Sequence, residues 1–457
     1  STFALPYMRI GMALAFENHQ QEGAHYFALA RQFVDKLPVR ERSILDVYSD
    51  LWQTRKYDEA FAKMKLLAEN YPDDKEVRAL NGLLVSFFAR DTTAGFNELH
   101  AALRIDPTYP LALQIMSSLF ENRGDIDSAI AYAERIRENH PESIEGYSLL
   151  PRLYRKAGRL DDAVAVAKQF RKQFPDKPAP YTLLAELSIR QRKFGQAEKY
   201  LNMLADRQGK DPFVMLQVVS LKASLAVWRG QFREALRQLH RGVQFAEQAD
   251  DSARLFSAYT SLGMMFYQLH RTDSSLYYMR MADRWANTFG KVAYPLHMIV
   301  VDPANDSVAR PMMRDGLEQF KAKLPSGLWP MADALQQMYD GYAHGDSDEI
   351  ITGYRQLLAA EPNKNSGNIW QAAFIMIARG DYQEGLDLLT PQLHGLEETT
   401  SGAYPLLLYY AGRAHEGLGQ TDKAIAAYRE MLHYWSHPDL ELPEITDARA
   451  RLANLTG

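Results

Sequence analysis

The 457-residue chain contains no cysteine, which excludes a disulfide frame, a cysteine metal cluster and a cysteine nucleophile together. Blocks of Lys and Arg never exceed two or three residues, and net charge is −5 with a pI near 6.2. Such a balance argues against a general nucleic-acid or anionic-membrane surface. No apolar run approaches the ~18 residues that a membrane helix needs, so direct membrane insertion of this segment is not expected. Also missing are a Gly-rich phosphate loop, a Gly-x-Ser-x-Gly elbow, a His-Glu-x-x-His pair and a kinase catalytic signature. These gaps set the expectation of no catalytic residues, no metal and no cofactor. The 46% hydrophobic and 24% charged composition is ordinary and leaves the compartment open.

What the chain does contain is a ruler. Pro72, Pro107, Pro141 and Pro175 fall 35, 34 and 34 residues apart, and twelve residues before each stands a small residue: Ala60, Gly95, Ala129 and Ala163. Ala197 and Ala235 continue the series. Five residues before the small position comes a turn, Gly124 or Gly158 in the clearest copies, and the same register recurs at Gly230, Gly345, Gly380 and Gly419. Apolar residues recur at spacings of three and four on both sides of each turn, which makes both segments amphipathic helices. Asp125 and Asp161 fall where helix starts favour short acceptors. Two periods separate Ser275 from Ile350, so a degenerate pair is expected between them, at 292–301 and 307–323.

Small residues, turn Gly and closing Pro at a period near 34 residues resemble the tetratricopeptide repeat. The resemblance implies an all-α, right-handed superhelical solenoid of about twelve antiparallel helix pairs, closed by a C-terminal capping helix at 443–455. Three parts are expected: an N-terminal arm over 1–290, a degenerate junction over 291–330 where five prolines crowd, and a C-terminal arm over 331–457. The polar loop 395–402 is expected to be exposed. From 211 to 290 the small positions stretch to 38 and 40 residues apart, which predicts longer helices or joining loops. A second resemblance rests on the opening 3–13 (FALPYMRIGMA), on 36–42 (KLPVRER) and on the ending 435–452 (WSHPDLELPEITDARARL). These are similar to repeat regions that close bacterial serine/threonine kinases and related signalling proteins. The start at Ser1 without Met reads as an excised piece of such a protein.

The first helix of each pair lines the concave face in this architecture. Its register places Trp52 and Gln53, Phe87 and Phe88, Glu121 and Asn122, Arg152, Arg155 and Lys156, Arg190, Trp228 and Tyr267 in a groove. An aromatic arm thus runs into a basic centre and returns to aromatics, which suits a protein or peptide partner with acidic groups. The competing reading is that these aromatics fill gaps between helices and that the cations favour helix ends. Met264, Met265, Met279 and Met281 read as core. His433 and His437 are four apart, as two metal ligands on one helix would be, but Pro438 follows at once and ends the helix. Asp346 and Asp348 read as a helix start, not a calcium loop.

The function these features imply is a noncatalytic protein or peptide interaction scaffold, the sensory or scaffolding part of a larger bacterial signalling protein. The alternative is a sensor for a small molecule or short peptide, which a compact pocket near 291–330 would favour.

Overall fold

A computed structural model describes residues 4–16, 20–54, 56–87, 91–287, 290–323, 329–360, 366–394 and 402–457. Among them lie 25 α-helices, from α1 (Ala4–Phe16) to α25 (Pro443–Thr456), and no strand. They form twelve antiparallel pairs and a last helix. The contacts separate into two compact units, Ser1–Gln173 and Phe174–Gly457, rather than at 291–330.

One pair of unit 1 shows how sequence makes the module. Helix α7 (Pro110–Asn122) opens with Pro at its first turn, where the missing N–H costs nothing. It buries Leu113, Met116 and Leu119 along one stripe. Gly124 turns the chain with φ of 79°, a left-handed conformation that a Cβ disfavours. The Asp125 carboxylate then accepts from the Ser128 N–H at 3.1 Å, capping α8 (Ile126–Asn139). Ala129 is fully buried and its carbonyl accepts from the Ser117 hydroxyl at 2.9 Å, so the two helices touch backbone to side chain there. A large residue at 129 would have to push them apart.

The register holds along the chain. Ala60, Ala129, Ala163, Ala197, Ala235, Ser275 and Ala424 are all fully buried. Glycines 124, 158, 230, 345, 380 and 419 all take positive φ, between 69° and 107°. At the matching turn of two other pairs stand Arg192 (φ 59°) and His270 (φ 55°).

In unit 2 the stretched period goes into the helices themselves: α13 (Pro212–Trp228), α14 (Phe232–Gln248) and α15 (Ser252–Gln268) each have 17 residues. The degenerate pair is α17 (Ala293–Val301) and α18 (Asp306–Lys323), within a residue of its expected bounds. It is not a loose junction. Met298, Ile299, Ala309, Met313 and Phe320 form a buried cluster, and Gly316 lies so close to the Lys291 carbonyl that a Cβ would stand 3.0 Å from it.

Unit 2 also closes on itself. Helices α23 (Tyr404–Gly417), α24 (Thr421–Tyr434) and α25 pack on the turns of the pairs α11/α12 (Ala179–Arg190, Phe194–Gln208), α13/α14 and α15/α16 (Thr272–Asp283). At the first turn, Arg192 Nη2 lies 2.6 Å from Glu430 and donates to the Tyr404 hydroxyl at 3.1 Å. At the second, Trp435 Nε1 donates to the Val227 carbonyl at 2.8 Å, and the Asp439 side chain accepts from the N–H groups of Phe232 and Arg233 at 2.8 and 3.0 Å. A residue 207 positions away thus caps α14. At the third, His270 Nε2 lies 3.1 Å from Glu444. Gly402 is buried against α13, where a Cβ would stand 2.4 Å from that of Val227. The rest of the polar loop, 395–401, lies outside the described residues.

Candidate functional site

In unit 1 the expected basic centre is an internal ion-pair cluster. Glu121, in the last turn of α7, is 9% exposed. Arg152 and Lys156 stand four apart on α9 (Ile144–Lys156), so both face it. Arg152 hydrogen-bonds the Glu121 carboxylate, and Lys156 Nζ lies 3.1 Å away. A buried carboxylate without such partners would carry a large desolvation cost. Most of the positive charge meant for a partner is therefore already engaged. Asn122 is exposed and Arg155 is half-buried. Trp52 sits in a π-helical turn, Asp50–Thr54, half-buried against the hydrophobic cluster of the first pairs. Beside it Gln53 donates to the Ala24 carbonyl at 2.8 Å. Phe88 and the side chain of Phe87 lie outside the described residues.

In unit 2 the expected groove aromatics are taken up by packing. Trp228 is 2% exposed, stacked on Tyr404 with ring centroids 4.9 Å apart and met edge-on by Tyr434 at 5.1 Å. The groove register assumes an open superhelix, and closure of this unit covers that position. Tyr267 packs edge-on against His297 at 5.3 Å, and burial raises its hydroxyl pKa. The His297 imidazole is held down at about 4 by burial. Its Nε2 lies 2.7 Å from the Ser275 hydroxyl, which donates to the Gly263 carbonyl at 2.7 Å, so the neutral ring carries its proton on Nε2. Arg190, at the end of α11, is half-buried.

What the groove register passed over is a trough of about 500 Å³ walled by the first helices α11, α13 and α15. Gln217, Ser220, Ser257 and Ser261 line it and are exposed. Its floor is widened by Gly242 of α14, which has no side chain to fill it. At one end the Arg254 guanidinium lies 4.3 Å from the Phe213 ring, and Phe213 is itself exposed. Short hydroxyl side chains on three successive first helices leave room that Leu or Phe would occupy. That run of Ser at helical spacing was the available signal in the sequence, hidden because small residues elsewhere mark helix contacts.

Helix α24 ends at Tyr434, so His437 is not on the helix that carries His433. Among the described residues no group of three or more His, Asp or Glu is placed to hold a metal ion. Asp346 accepts from the N–H groups of Asp348 and Glu349 at 2.9 and 3.1 Å, the cap of α20 (Ser347–Ala360).

Stacked helix pairs with buried small residues and left-handed turns define a helical-repeat protein of the solenoid class. Family models described as tetratricopeptide repeat match residues 111–143, 154–217 and 407–436, so the chain carries tetratricopeptide repeats in those segments. No curated protein is matched by this sequence. Among solved structures, it is similar to a tetratricopeptide repeat protein from Parabacteroides merdae at 15% identity and a TM-score of 0.43, covering 57% of this chain and 98% of that one. It is similar to PilW, a type IV pilus biogenesis factor, at 15% identity and a TM-score of 0.38, over 49% of this chain and all of the other. Pseudomonas aeruginosa pilF is matched at 14% identity and a TM-score of 0.34, over 51% and 95%.

Proposed function

We propose that the chain is a noncatalytic interaction scaffold that holds an extended peptide segment in the trough of unit 2. The observation that carries this is the trough itself: about 500 Å³ walled by three successive first helices, with exposed Gln and Ser side chains that donate and accept hydrogen bonds. An extended segment offers unpaired backbone N–H and C=O groups along its whole length, and these are what such a wall satisfies. Arg254 over Phe213 provides a flat cationic and aromatic end for one side chain. We further propose, from the likeness of the end segments alone, that the scaffold is part of a bacterial signalling protein; the reading frame around the chain tests that part.

The binding test is selection of peptides from a displayed random library on the purified chain, followed by titration against Ser257→Tyr. Ser257 is exposed, so a ring there fills the trough with little effect on folding. The expected result is one-to-one binding weakened about tenfold or more, near 1.4 kcal/mol, at unchanged melting temperature. Library peptides that bind both proteins equally would reject the trough.

A further inference from the structure

The seam where unit 2 closes holds a second cavity, of about 790 Å³, that neither helix packing nor the trough explains. Arg192, Trp228 and Arg229 line it from the inner pairs, Arg429 and His433 from α24, and His437 from the segment that follows α24. Three guanidinium groups and two imidazoles gather here in a chain of net charge −5. Two are engaged by single carboxylates, Arg192 by Glu430 at 2.6 Å and Arg229 by Glu198 at 3.1 Å. Arg429 is exposed, and among the described residues no ion pair is recorded for it.

A further observation sets this cavity apart from a solvated basic patch. Arg192 adopts the left-handed backbone that six other turns give to glycine. A side chain there is strained, and in return it brings a guanidinium to the cavity wall, over the Tyr404 and Tyr434 rings at 5.5 and 5.2 Å.

We propose that this cavity binds a compact anion carrying two or more phosphate or carboxylate groups. The Arg429 fork and Arg229 supply the charge-assisted donors, the two imidazoles add further ring N–H groups, and the Trp228 ring forms part of the wall. The ligand bridges residues from both sides of the seam, so its binding stabilises the closed unit. This proposal stands on the seam and is independent of the peptide trough.

The test titrates the full chain calorimetrically, and melts it, with inorganic pyrophosphate and with citrate, against chloride at matched ionic strength. Pyrophosphate separates a phosphate ligand from the carboxylate ligand that citrate represents. One of the two is expected to bind one-to-one and to raise the melting temperature at a concentration of about 5 mM. Arg429→Ala, an exposed change, is expected to weaken binding at least tenfold without altering the unliganded melting temperature. Failure of both probes to bind, or binding indifferent to Arg429→Ala, overturns the site.

Discussion

Unit 1 and unit 2 use the same helix pair, yet their polar contacts reach different distances along the chain. In unit 1 the described hydrogen bonds span at most 67 positions, from Arg9 to Glu76, which is two repeats. In unit 2 the longest join residues 174 to 212 positions apart, from His270–Glu444 to Arg192–Tyr404. The difference is between a stack in which each pair depends on its neighbours and a body in which the last pairs hold the first ones. Nearest-neighbour stability applies to the former; the latter adds a closure term that local repeats lack.

The largest effect should come from Trp435→Ala. Trp435 is 2% exposed, bonded to Val227 and edge-on to Phe232 at 5.2 Å. Truncation is expected to cost about 3–5 kcal/mol and to speed hydrogen exchange in α13 and α14 as well as in α24. Leu150→Ala in α9 should by contrast leave the first two pairs of unit 1 unaffected. If Trp435→Ala loosens only α24 and α25, closure adds nothing to the inner pairs and the comparison fails.

Next in size is a pH effect confined to unit 2. His297 has a folded-state pKa of about 4 against an ordinary 6.5. Between those values the unfolded chain binds a proton that the folded chain refuses. The stability held above pH 6.5 is therefore lost as pH falls toward 4, by up to about 3 kcal/mol. Melting at pH 7 and pH 4.5 should show a smaller acid loss for His297→Gln than for the parent; parallel losses would remove His297 as the cause.

The smallest effect separates a local cap from a distant one. Asp125→Ala and Asp439→Ala each remove a helix N-terminal acceptor and should each cost about 1 kcal/mol. The first should speed exchange at its neighbour Ser128, the second at Phe232 and Arg233, far from the substitution in sequence. No change at those two amides would mean that the long-range cap is not formed in solution.

The repeat register was legible because it records local geometry. A small residue where helices cross and a left-handed turn before it are dictated within one pair, so Ala129 and Gly124 announce themselves. Closure was not legible, since no periodic pattern tells the turns at 192, 230 and 270 that 435–444 will return to them. For the same reason Trp228 read as a groove residue; Arg152 read as a groove cation for a different one, because its partner Glu121 sits one repeat earlier and was itself read as lining the groove.

The Asp439 cap also bears on how the chain is made. Helix α14 leaves the ribosome 207 residues before the side chain that completes its start. At synthesis rates of about 5–20 residues per second, that is a wait of roughly 10–40 seconds. Throughout that interval Trp228 and Phe232 lack the Tyr404, Tyr434 and Trp435 rings that cover them. The nascent inner pairs of unit 2 thus present an aromatic surface to the cell before the chain ends, and a holding chaperone would find its binding site there rather than in unit 1.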